Sequence, residues 1–131
     1  MSVSAQAKSR RRFGRHRIGP RHAANDQHLC RLLEQAVVPA FAVGRSELWT
    51  GTRGGPVTAR ARQVAMYLAH VRGGLTYTEI GRLFARDRTT VAHACGVIED
   101  RRDNAAFDRT IDLLEGALRA LSHDPARSPR W

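Results

Sequence analysis

Arg86, Asp87, Arg88, Thr89 and Thr90 form a run of five side chains that can all hydrogen-bond. A guanidinium can pair with guanine O6 and N7, a threonine methyl can touch thymine, and the free N–H groups of a helix start suit a phosphate. The plain alternative is that these are cap and solvent-face residues. Catalysis has less to work with: the chain carries no paired catalytic carboxylates on one face, no metal constellation and no nucleophile elbow, so an enzyme is not expected.

The elements that hold this run are two helices joined by a tight turn across residues 75–98. Thr76 with Glu79 three residues later is a capping box, and Leu75 with Ile80 can form the flanking hydrophobic staple. The core face of this first helix is Ile80, Leu83 and Phe84. After the turn at Ala85 and Arg86, Asp87 is an N-cap, and Val91, Ala94, Cys95 and Ile98 recur at the spacing of one buried stripe. Such a helix-turn-helix lays the start of its second helix in the major groove. His93 lies between core positions, where packing and DNA contact are both open. Gly96, inside the same helix, costs about 1 kcal/mol relative to alanine.

Upstream, Thr58 can cap a helix over residues 59–72, ended by Gly73 and Gly74, with Ala61, Val64, Ala65, Leu68 and Val71 as its stripe. Arg60, Arg62 and Gln63 sit near its start. A helix beginning at Asn25 or Asp26 presents Leu29, Leu32, Leu33, Ala36 and Val37 until Pro39 breaks or kinks it. Ser46 caps a short helix that follows, and Phe41 and Trp49 are core anchors. A closing helix over about 105–121 carries Phe107, Ile111, Leu114, Leu118 and Leu121, a seam that is core or a dimer contact. The fold expected is all-α: a bundle of about six helices at 25–121, with the helix-turn-helix at 76–102 between a supporting N-terminal pair and the closing helix. Residues 1–24 are expected to be a disordered basic arm and 122–131 a loose tail.

Charge says what kind of partner to look for. The chain has 22 Lys and Arg against 12 Asp and Glu, a net charge of +10, with a pI near 11.4, which favours a polyanion. Residues 1–24 contribute +7 and residues 41–97 contribute +5, whereas residues 98–121 contribute −2. Arg10, Arg11 and Arg12 of the arm could lie along phosphates or enter a minor groove; a solvated tail is the alternative. Cys30 and Cys95 fall on apolar stripes and have no ligand-spaced partner, as expected of reduced core residues. No long apolar run suggests a membrane span. No glycine-rich phosphate loop occurs, so neither ATP nor any other cofactor is expected.

The motifs resemble a known family. Ile80-Gly81 to Phe84, then Arg86-Asp87-Arg88-Thr89-Thr90-Val91, then His93-Ala94-Cys95 with Ile98-Glu99, are similar to the C-terminal, Trp-repressor-like DNA-binding domain of the DnaA family, the bacterial chromosomal replication initiators. The family signature reads Gly-Gly-Arg-Asp-His, Thr or Ser, Thr, Val, any residue, His, Ala. Upstream, residues 61–69 resemble its Arg-Gln helix, and the likeness covers about 28–121. Arg88 stands where the family has His, Ala85 replaces a double Gly, and the basic loop survives mainly as Arg53. The resemblance implies a stand-alone, ATPase-less, sequence-specific binder of double-stranded DNA. Asp87, Arg88 and Thr89 would read bases, Arg62, Gln63, Arg86, Thr90 and His93 would hold phosphates, and Arg53 or the arm would probe the minor groove. Its role would be regulation of replication initiation or transcription in the bacterial cytoplasm, at the nucleoid, as a monomer or weak dimer, with the initiator or the transcription machinery as possible protein partners. An organellar transit peptide would also suit the arginine-rich start, but the bacterial resemblance disfavours it. The alternative function is a protein-interaction module that binds nucleic acid only non-specifically, through its arm.

Overall fold

One helix is buried nearly all round, and the others are arranged about it. In a computed structural model that describes residues 23–50 and 55–122, six helices run in the order α1 Ala23–Phe41, α2 Arg45–Thr50, α3 Pro56–Val71, α4 Tyr77–Phe84, α5 Arg88–Arg101 and α6 Ala105–Ser122. The fold is all-α, as expected. Arg10, Arg11, Arg12, Arg53 and the residues assigned to the arm and tail lie outside the described residues, apart from 23, 24 and 122 at the helix ends.

α3 is the hub. Its stripe of Ala61, Val64, Ala65 and Leu68 is buried, and so are Met66, Tyr67 and Ala69 on its other sides. Periodicity alone gave one stripe because it sees one neighbour. Here α1, α2, α4 and α5 all pack against α3, so every residue from Val64 to Ala69 is buried, while Arg60, Arg62 and Gln63 in the second turn stay partly exposed. Each fully buried large side chain contributes about 1.5–3 kcal/mol through removal of apolar surface from water, and Val64, Leu68, Ile80, Phe84, Val91 and Ile98 all reach that limit. The closing helix packs chiefly on α1 rather than flanking the helix-turn-helix, with Ile111, Leu114 and Leu118 inward. Its seam is core, and Leu121 at the end is exposed.

Three expected boundaries are corrected. α3 starts at Pro56, with Gly55 as N-cap and Thr58 buried inside the first turn. Proline at a helix start loses no hydrogen bond and has its φ already set, so it displaces the threonine as the starting residue. α2 starts at Arg45, not after Ser46, and Glu47 reaches back to accept a bond from the Gly44 N–H at 3.3 Å. α1 starts at Ala23 rather than at Asn25 or Asp26, continues past Pro39 to Phe41 and ends where Ala42 turns left-handed at φ 54°.

α4 has a good start and a strained end. Thr76 Oγ1 accepts from the Glu79 N–H at 3.1 Å while the Thr76 N–H donates to Glu79 Oε1 at 2.9 Å, the reciprocal box the sequence implied. At the other end Ala85 takes the left-handed conformation, φ 56° and ψ 47°, and the Arg86 N–H returns to the Gly81 carbonyl at 2.9 Å. A Cβ on Gly81 would lie 2.4 Å from the Arg86 carbonyl oxygen. Gly81 is therefore what lets the turn close over α4.

Candidate nucleic-acid interface

α5 presents its polar start and buries its stripe. Val91, Ala94, Cys95 and Ile98 are buried, while Asp87, Arg88, Thr89, Thr90 and, one turn on, His93 are exposed. Asp87 occupies the N-cap position with φ −80° and ψ 164°, and its carbonyl accepts from the Thr90 and Val91 N–H groups at 3.1 and 3.2 Å. Its side chain makes no cap bond, contrary to the expected role. The extended backbone alone starts the helix, and the carboxylate stays at the surface beside Arg88 and Thr89.

The structure places the phosphate candidates on α3 (Arg62, Gln63), in the turn (Arg86) and on α5 (Thr90, His93). Arg62, in the second turn of α3, gives its Nε–H to the Leu48 carbonyl at 3.2 Å and an Nη2–H to the Glu47 carbonyl at 2.8 Å. Arg86, in the turn, gives Nη1–H to the Phe84 carbonyl at 3.0 Å and approaches that of Ala85 at 3.5 Å. Burial and then the charge of Arg86 press the proton affinity of Arg62 below its ordinary value, with Glu47 opposing. Two like charges from different elements thus converge, each oriented by main-chain oxygens. Gln63 accepts from Arg60 Nη1 through Oε1 at 2.8 Å, which reserves its amide N–H groups for another acceptor. Arg60 is itself depressed by burial and by the nearby Arg101.

Arg60 and Arg101 were not among the residues assigned a DNA contact. The signal for Arg60 was its place two residues before Arg62 at the helix start. For Arg101 there was none, because it comes to Arg60 only through the packing of α3 on α5, and its guanidinium also lies 5.2 Å from the Phe107 ring centroid. Trp49 proves structural: its ring packs on Phe84 with centroids 4.7 Å apart, and Nε1–H donates to Glu34. His70 holds the corner before α4, with Nδ1 2.9 Å from the Leu75 carbonyl. A carbonyl only accepts, so that nitrogen carries the proton.

Among the described residues no His, Cys, Asp and Glu group could hold a metal ion, and no helix is long and apolar enough to cross a membrane. Both cysteines are free thiols. Burial, followed by the charge of Glu99, pushes Cys95 up to about 12, which leaves it protonated and unreactive at neutral pH.

Comparison with known proteins agrees with this geometry. Residues 31–98 match the family model described as the bacterial DnaA protein helix-turn-helix. Relatives named chromosomal replication initiator protein DnaA are 35% identical over 114 residues in Thermomicrobium roseum, 42% over 88 residues in Sphingopyxis alaskensis, and 35% over 85 residues in Lachnoclostridium phytofermentans. These alignments cover 86%, 66% and 63% of this chain but 24%, 18% and 18% of the relatives. The chain therefore spans about a fifth of the length of the curated relatives it matches.

Proposed function

Because the chain belongs to the helix-turn-helix family of the bacterial DnaA protein, we propose that it binds a short element of double-stranded DNA sequence-specifically through the major groove. The observation that carries this is the exposed start of α5, with Arg88, Thr89 and the uncapped Asp87 carboxylate side by side next to the converging Arg62 and Arg86. In this reading Arg88 pairs with guanine O6 and N7, Thr89 offers its methyl to thymine, and Asp87 accepts from a cytosine amine or orients Arg88. Arg62, Gln63, Arg86, Thr90 and His93 hold phosphates on either side, and they position the helix without reading sequence. Arg53, with Arg10, Arg11 and Arg12, is assigned to the minor groove. The relatives' name makes regulation of replication initiation at initiator-type sites, or of transcription from them, the role that fits this chain, in the bacterial cytoplasm at the nucleoid. It needs neither ATP nor a cofactor in this role.

Selection of bound sequences from a random duplex library at a fixed salt of about 150 mM, with wild type and Arg88→Ala side by side, tests the proposal, because phosphate contacts would otherwise dominate the result. The expected outcome is an enriched motif of roughly 6–9 base pairs that relaxes at one position in the variant, with about 1–3 kcal/mol of discrimination lost there. A library that emerges unenriched with wild-type protein would sink it.

A further inference from the structure

α2 is only six residues long, yet it touches both halves of the proposed interface. The Leu48 carbonyl receives Arg62 at 3.2 Å, fixing the phosphate-holding side chain of α3. The next residue, Trp49, places its ring 4.7 Å from that of Phe84, the last residue of α4. Phe84 is fully buried, its carbonyl holds Arg86 at 3.0 Å, and Ala85 follows it in the left-handed turn. The indole is secured from behind, because Nε1–H donates to Glu34 Oε2 on α1 at 2.5 Å. Glu34 also faces Arg45 at 3.9 Å, while its own side chain is only 21% exposed.

We propose that Trp49 and Glu34 are positioning residues for base reading, forming a strut from α1 through the indole to the helix-turn-helix turn that fixes the start of α5 relative to the start of α3. The inference rests on the proposed DNA reading. Phosphate contacts set the register in which a helix meets the bases. If the offset between Arg62 and Arg88 is loose, the phosphates are still held but the base contacts lose their alignment. A packing residue alone would not divide the two effects in this way. Phe84 alone cannot set the offset either, since α4 is short and leaves the domain core at a strained alanine. The N–H of Trp49 is the part that matters, because a ring without it would rest on Phe84 with no tie to α1.

The test measures affinity of wild type, Trp49→Phe, Glu34→Leu and Glu34→Gln for the wild-type-selected duplex and for a scrambled one, across a salt series. Trp49→Phe keeps an aromatic ring and loses the donor, Glu34→Leu removes the acceptor, and Glu34→Gln keeps an amide oxygen in its place. Expected is a fall of about tenfold in the specific-to-scrambled ratio for the first two, comparable with the coupling typical of residues that act through others. The salt slope should stay unchanged, thermal unfolding should stay cooperative, and Glu34→Gln should remain within about twofold of wild type. Equal loss on both duplexes, or an unchanged ratio, overturns the inference. Should Trp49→Phe fail to fold, the Glu34→Leu and Glu34→Gln pair decides by the same criterion. A wild type with no preference between the duplexes would remove the DNA-reading proposal and this inference together. A wild type that discriminates alongside variants that discriminate equally well removes the inference alone.

Discussion

Arginine does opposite work at the two ends of α5. At the far end Arg102, with a side chain 14% exposed, sits among Asp108, Asp112 and Glu115 of α6 at 2.5, 2.5 and 3.3 Å, and it also donates to the Tyr67 hydroxyl at 3.0 Å. Burial works against its charge, but the hydrogen bonds to Asp108 and Tyr67 and the charge of Glu115 outweigh it and raise its proton affinity. At the near end Arg62 is oriented by the carbonyls of Leu48 and Glu47, and Arg86 lends an N–H to that of Phe84. A carboxylate offsets the charge of a guanidinium, whereas a carbonyl orients it without bringing a formal charge of its own. Arg102 thus serves the fold through an ion-pair network with α6, whereas the carbonyl-held Arg62 and Arg86 carry the proposed phosphate role.

The largest effect is expected from Arg102→Ala. It removes the cation that Asp108, Asp112 and Glu115 share, Glu115 keeping Arg72 at 3.7 Å, and should cost about 2–3 kcal/mol in urea unfolding, below the range for a fully buried pair because Asp108 and Asp112 are 40% and 60% exposed. The folded variant should keep its DNA preference. Arg88→Ala should do the reverse, changing discrimination as described above while leaving the unfolding free energy within about 0.5 kcal/mol of wild type. If both variants lost stability and specificity together, the division between the ends of α5 would be wrong.

Cys95 provides a handle between the two ends. Below about pH 9 its thiol is protonated in both states. Between pH 9 and about 12 the unfolded chain releases the proton while the buried thiol keeps it, so stability falls as pH rises through that window. The part of the loss between about pH 8 and pH 10 that Cys95→Ala abolishes should be roughly 1.4 kcal/mol. Urea unfolding at the two pH values would read it, and an identical loss in the variant would refute it. Smallest is Ala85→Gly, which should gain about 0.5–1 kcal/mol in thermal unfolding by relieving φ 56°. The gain should come without a change in the selected DNA motif, because the backbone path of the turn is unaltered.

What was legible in the sequence was local. The box of Thr76 and Glu79 spans three residues, so its chemistry needs no neighbour to specify it. The stripe of α5 was equally readable, since one helix face meets one core. Thr58 and Ser46 were misjudged because the residue that starts a helix depends on the path of the flanking loop, which three or four side chains do not encode. The acidic balance of residues 98–121 was visible, but not that those carboxylates converge on Arg102, whose partners lie 6, 10, 13 and 35 residues away. The candidate site shows the same division. The exposed start of α5 followed from periodicity, whereas the carbonyls that aim Arg62, 14 and 15 residues distant, could only come from the packing of α2 on α3.

Burial of α3 on every side from Val64 to Ala69 also bears on motion. Amides near Val64 to Ala69 can meet solvent only when α1, α2, α4 and α5 come apart together, so they belong to the last cooperative unit to open. Its first turn is different: Pro56, Val57 and Ala59 are exposed, and no side chain caps the helix there. That turn can fray and re-form in fast local excursions without disturbing the unit behind it. The start of α3 thus combines local give with the packed anchor from Val64 to Ala69, so side chains at that end can shift while the frame that carries α5 keeps its shape.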